Sequence, residues 1–301
     1  MADEIITADL ITNGGLEAAV MSDIVLSQLF DPTDLSAVMT RIPWRVAGGG
    51  ALNVVQDAVP GAYATVAEAA AVANSAYTTD EFALTPSRYA RRYEVTDLVP
   101  MSGAKIDLDV AAANLVKGVA LTLTDLLCAL FTSLSQSVGN DTTACTVDTL
   151  FDGMFNLNTN NNYGRYNVVL GPTQMNDFRS SLRAESGAVQ FREVTYETLA
   201  ARGPGYQGEW SNVDFWQSDS VPASGGGLAG AIMSQGAFAY TLADPRAAAG
   251  QLIPEFVYLA NEFLLLEKYR EPASGMTAII ANIYPAVSEA EDLRGCQIIT
   301  S

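Results

Sequence analysis

Histidine, the side chain best suited to accept a proton near neutral pH, is absent from all 301 residues. Its absence excludes Ser–His and Cys–His nucleophilic pairs and removes the commonest metal ligand. Carboxylate chemistry survives in principle, through Asp214 with Asp219 or Glu289 with Glu291 and Asp292. In so acidic a chain these groups read first as solvated acidic loops. Cys128, Cys145 and Cys296 are scattered, with no CxxC pair, so neither a disulfide framework nor a zinc site is supported, and synthesis in a reducing cytosol is expected. Two glycine triplets, at 48–50 and 225–227, lack the following Lys-Ser or Lys-Thr that a phosphate loop needs, and they read as hinges. The segment from Arg202 to Tyr206 reads as a flexible loop. The expectation is a chain with no catalytic site, no cofactor and no metal.

Charge points elsewhere. The chain carries 34 acidic against 16 basic residues, a net of −18, which argues against affinity built on phosphate neutralisation. Nucleic acid near it would be contained rather than gripped. Lysine occurs only at 105, 117 and 268, so arginine supplies the other 13 cations; genomic base bias explains this as well as selection for planar interface contacts does. Arg88, Arg91 and Arg92 form the densest basic cluster. Period two places Arg91 on the strand face opposite Arg88 and Arg92. Arginine is enriched where proteins meet, so ion pairing with a neighbouring copy is favoured over phosphate binding. With Tyr63, Glu68, Asp80 and Glu81 from the same stretch, these arginines form the candidate intersubunit set.

Hydrophobic residues make up 49% of the chain and charged residues 17%, enough for a large core and few charges for the surface. Much of that surface is expected to face protein. The first residues lack a basic region followed by an apolar run, so no signal peptide is expected. The apolar stretch from Val119 to Leu134 is interrupted by Asp125 and falls short of the ~20 residues of a membrane span. A soluble protein is expected.

The elements that position these groups follow from periodicity. A polar arm broken at Asn13 to Gly15 precedes a short helical pattern that ends at Asp31 and Pro32. Two strand-like runs, Leu52 to Val66 and Thr78 to Val95, flank an Ala-rich middle and predict a long hairpin. Such a ribbon is marginal in water and must rest on a neighbour. After a plausible N-cap at Asp107, apolar residues at 108, 112, 115, 119, 123, 126, 130 and 134 form one stripe. It predicts a buried helix of about 28 residues, roughly 42 Å long. A turn is expected at 139–143, a short helix around 150–155 and an Asn-rich loop at 156–162. Tyr166 to Gly171 reads as a buried strand, and Pro172 suits the first turn of a helix running to Ala184. Residues 185–212 read as loop. Strands follow at 213–218 and 231–241, then an antiparallel hairpin from the runs 252–270 and 276–286.

This order of arm, hairpin, long helix, α/β unit and closing strands resembles the major capsid protein of tailed phages, the Hong Kong 97 type of α+β fold that encapsulins share. Local likenesses add to it: Phe82 to Pro86 leading into Tyr93 to Leu98, Val169 to Pro172 leading to Phe178 and Arg179, and Phe215 to Pro222 followed by 231–240. The resemblance implies an N-terminal arm at 1–50 and an extended loop at 51–95. It implies a peripheral domain with its spine helix at 96–164 and 249–301, and an axial domain at 165–248. It also implies hexamers and pentamers of this chain forming an icosahedral shell, with a portal at one vertex, that encloses DNA without binding it specifically. Such a chain is made in the host cytoplasm and resides in the virion; an encapsulin compartment is the alternative. The type member cross-links a lysine of its extended loop, but residues 51–100 contain no lysine, so stability is expected to be noncovalent or to use a cement protein. Only 30 to 50 residues precede the hairpin, so a separate scaffolding protein is expected.

Overall fold

A computed structural model describes residues 34–44, 50–57, 79–96, 108–184, 194–195, 198, 202, 205–243, 257–260 and 264–301. In chain order its elements are β1 (Thr40–Arg41), β2 (Leu52–Asp57), β3 (Thr79–Leu84), β4 (Tyr89–Thr96), α1 (Leu108–Ala129), β5 (Ser137–Gly139), α2 (Val147–Thr159), β6 (Tyr166–Leu170) and α3 (Pro172–Ala184). Then come β7 (Tyr206–Trp210), β8 (Val213–Gln217), β9 (Ala223–Ser224), β10 (Gly227–Ser234), β11 (Phe238–Leu242), β12 (Val257–Ala260), β13 (Leu264–Glu271), β14 (Met276–Ile283), β15 (Pro285–Glu289) and β16 (Gly295–Thr300).

The largest sheet runs β5-β16-β10-β6-β8-β7, with β9 hydrogen-bonded to β10. Strand β6 pairs in parallel with β8, and β5 with β16, while β10 is antiparallel to both β6 and β16. Alternation along the strands divides the core in two. Val168, Leu170, Ile232 and Ile298 join the cluster of α2 and α3 residues, among them Leu150, Leu157 and Phe178. Val169, Ala231, Met233 and Trp216 join Val119, Leu123, Leu127 and Phe131 of α1 and its 3-10 continuation. Helices therefore cover both faces of the sheet, as the two-sided apolar character of β6 and β10 requires.

Of the expected stripe, the described side chains Val119, Leu123 and Leu134 are buried and Leu126 and Leu130 half-buried, and the α-helical part of α1 ends at Ala129. A 3-10 turn, Leu130–Ser133, tightens the last step. The deepest positions are Leu127 and Phe131, both fully buried, with Val119, Leu123 and Leu134 beside them. α2 is capped by the Thr146 hydroxyl, which accepts from the Thr149 amide at 3.3 Å. α3 starts on Pro172, whose missing N–H costs nothing in a first turn. Gln174 then locks this turn to the sheet: it accepts from the Gly171 amide at 3.0 Å and donates toward the Leu228 carbonyl at 3.0 Å and the Thr300 hydroxyl at 2.8 Å.

A second sheet, β12-β13-β14-β4, contains an antiparallel β13–β14 hairpin closed by the turn at 272–275, but the run 252–270 itself folds into β12 and β13, and the run 276–286 crosses from β14 into β15 of another sheet. A third, β1-β11-β15, lies beside α1.

Several expectations change. The run from Thr78 to Val95 is two strands, separated at Thr85–Arg88 around Pro86: β3 pairs with β2, whereas β4 pairs along its whole length with β14. A proline cannot donate to a ladder, so the break falls there. The stretch from Ala231 to Thr241 also divides, at a turn where Gly236 takes φ +92°, and its halves enter different sheets. The Asn-rich segment begins as the last turn of α2, and the left-handed Asn161, at φ 60°, ends the turn after it. The 185–212 stretch contains strand β7. The N-terminal arm and the Ala-rich hairpin middle lie outside the described residues.

Candidate assembly surface

Strands β2 and β3 form a two-stranded ribbon in register from Leu52 opposite Leu84 to Asp57 opposite Thr79. It buries little. Leu84 is fully covered, but Val55 is 57% exposed and Asp80 and Glu81 face outward. Its base is held by the packing of β3 on β15 and by the Ser87 amide donating to the Pro285 carbonyl at 3.2 Å. Among its described residues, Leu84 is the buried anchor of this ribbon.

The arginine cluster sits where this ribbon meets the second sheet. Arg88 donates from Nε to Asn282 Oδ1 at 2.8 Å. Arg92 pairs with Glu94 on its own strand at 2.7 Å and with Glu271 at 3.1 Å. Arg91, on the opposite face as period two required, lies 5.4 Å from the Tyr93 ring centroid; a Cβ added at Gly118 of α1 would stand 3.5 Å from its Nη1. Each arginine therefore has a contact within its own chain. Tyr63 and Glu68 lie outside the described residues.

Of the carboxylates singled out for chemistry, Asp214, Glu289, Glu291 and Asp292 are held in structural contacts, and Asp219 is exposed. Asp214 is buried in β8 and accepts from Arg165 Nε at 2.5 Å and Nη2 at 2.8 Å, and from the Tyr206 hydroxyl at 3.0 Å, while Arg202 Nη1 stands 2.5 Å away. Burial alone would raise the Asp214 carboxyl, but the hydrogen bonds from the two arginines outweigh it and hold it below its ordinary value. Burial, with the Asp214 charge, pushes Tyr206 up to about 12. Arg202 also covers the Tyr206 ring at 4.7 Å. Sequence reading does not give this charge network: Arg165 and the Arg202–Tyr206 segment meet around Asp214 only in the fold. Glu289 and Asp292 each meet a serine after α1, Ser133 and Ser135 respectively.

All three thiols are free and buried. Burial pushes Cys128 and Cys145 up to about 12 and Cys296 to about 11. They are packing groups, not nucleophiles. Among the described residues no group of His, Cys, Asp and Glu could hold a metal ion, and no helix is long and apolar enough to cross a membrane.

No protein-family model and no curated protein matches the chain by sequence. Solved structures match it as folds. The capsid of cyanophage P-SCSP1u is 9% identical with a TM-score of 0.60, over 90% of this chain and 89% of that one. The head of Helicobacter pylori bacteriophage KHP40 is 9% identical with a TM-score of 0.57, over 91% and 90%. The SrpI encapsulin complex of Synechococcus elongatus is 12% identical with a TM-score of 0.59, over 88% and 86%. Over about nine-tenths of each chain, the fold is that of the Hong Kong 97 type phage capsid proteins.

Proposed function

We propose that this chain is the major capsid protein of a tailed double-stranded DNA phage, a structural and not a catalytic protein, assembling as hexamers and pentamers into an icosahedral shell around the genome. The observation that carries the reading is coverage: phage shell proteins match about nine-tenths of this chain, and this chain matches about nine-tenths of them. In this reading residues 1–50 are the arm and 51–95 the extended loop. Residues 96–164 with 249–301 form the peripheral domain, and 165–248 the axial domain.

The thin β2–β3 ribbon supports an extended loop that gains its stability from a neighbouring copy. Asp80 and Glu81 are outward charges on it, and Arg88, Arg91 and Arg92 stand at its base. Exposed pairs such as Arg92 with Glu94 are worth only about 0–1 kcal/mol, so exchanging one for an acid of the next subunit costs little. With no lysine from 51 to 100, the contacts are noncovalent or reinforced by a cement protein. A strongly acidic wall repels packaged DNA and lets it slide.

Electron microscopy of the purified protein tests the reading. Icosahedral particles are expected, and a stable monomer across concentration and salt would sink it. Deleting 66–76 should leave a folded subunit that assembles poorly; normal shells would remove the role given to the loop. The SrpI match favours a second reading, a nanocompartment shell with protein cargo. Nuclease-protected DNA inside particles from infected cells would decide for the phage, and protein cargo without DNA for the compartment.

A further inference from the structure

Strand β4 ends its sheet, so one of its edges is bonded to β14 from Tyr89 to Thr96 and the other carries no ladder among the described residues. Proteins blunt such open edges with short strands, proline, bulges or charge, because an unpaired edge accepts further strands. β4 contains no proline, no glycine and no break in register; its guard is charge, from the exposed Arg91, Arg92 and Glu94. Charge here also selects. A second β4 laid antiparallel with Arg91 facing Arg92 would set like charges opposite each other, whereas a strand with acids at those positions would not.

β3 is such a strand. It carries the consecutive acids Asp80 and Glu81, both exposed, and among the described residues neither they nor Arg91 has an ion-pair partner. β3 is laddered to β2 on one side only. Its own β4 follows after four residues, Thr85–Arg88, a length that ordinarily closes a hairpin. Here the connection is pinned elsewhere: the Ser87 amide donates to the Pro285 carbonyl at 3.2 Å, Arg88 Nε donates to Asn282 Oδ1 at 2.8 Å, and β3 packs on β15. The two strands are thereby splayed, and each keeps an edge that the other would have filled.

We propose, resting on the capsid reading above, that the open edge of β4 receives β3 of a neighbouring copy, antiparallel, with Glu81 opposite Arg91 and Asp80 opposite Arg92. This is the closure that β3 and β4 do not make within one chain, exchanged between copies as in a domain swap. Donor edge and acceptor edge differ, so the contact is head to tail, the kind that closes rings such as hexamers and pentamers. Arg92 already meets Glu94 and Glu271 of its own chain, so Glu81 and Arg91 are the pair that fixes the register.

Amide hydrogen exchange of the full chain, read residue by residue in dilute subunit and in assembled particles, tests the pairing. On assembly, alternate amides of 89–96, those not already bonded to β14, are expected to gain protection, while their neighbours change little. E81R and R91E should each lose particles while the subunit keeps its melting temperature, and the double variant should regain them. Particles whose β4 amides exchange as in the subunit, or a double variant that assembles no better than either single one, would overturn the pairing and leave the capsid reading standing. Full protection of the same amides in dilute subunit would mean that β3 folds back on its own β4, and would overturn it as well. A chain that forms no particles under any condition would sink the capsid reading, and the pairing with it.

Discussion

Replacing Asp214 with Asn keeps the side chain's shape and removes the charge on which two guanidinium groups converge. The carboxylate is only 5% exposed, whereas the Arg165 and Arg202 side chains keep 45% and 31% of their surface in water. Removing one partner of a fully buried pair costs about 3–5 kcal/mol, and exposed pairs contribute about 0–1 kcal/mol. Here the abandoned cations can turn partly to solvent, but the amide must sit among three donor groups with one acceptor oxygen. The expected loss is about 2–3 kcal/mol, or roughly 4–10 °C in melting temperature. Urea unfolding of dilute, unassembled subunit at neutral pH measures it. The acid limb supplies a second check. Because Asp214 is held below its ordinary 3.8, its contribution is complete above that value and is lost as pH falls through the depressed one. D214N should lack this limb. A loss under about 0.5 kcal/mol, within the range of ordinary surface substitutions, would refute the reasoning.

Phe131→Ala should cost about 3–5 kcal/mol, because the ring is fully buried against Phe238, with centroids 6.0 Å apart; denaturant midpoint at constant m value is the measurement. Gly139→Ala should destabilise by at least about 2 kcal/mol, since its φ is +77° and a Cβ there would run into the Ile299 carbonyl of β16; thermal melting reads it. A disulfide thiol reagent should label none of Cys128, Cys145 and Cys296 in the folded chain and all three in denaturant, because burial keeps each as a neutral thiol.

The candidate surface was legible in part. Arg88, Arg91 and Arg92 stand out in an acidic chain, and period two separated Arg91 from Arg92. Their partners did not stand out, because Asn282 and Glu271 are 194 and 179 residues away in sequence. The length of the ribbon was overread at Pro86, where local alternation continues on both sides of a break that only pairing reveals.

By itself the sequence determined whatever a local repeat can encode. The apolar stripe of α1, the strand that runs into Pro172 and α3, and the β13–β14 hairpin all follow from period, caps and turns. The absence of histidine likewise bounded the chemistry. Only the tertiary structure decided which strands become neighbours. β16, the last strand, returns to lie between β5 and β10, and β4 leaves its ribbon for β14. It also decided which charges are buried together, as at Asp214. Hydrophobic period is a property of consecutive residues, while register partners and buried ion pairs are chosen by the solvent that distant segments exclude from one another.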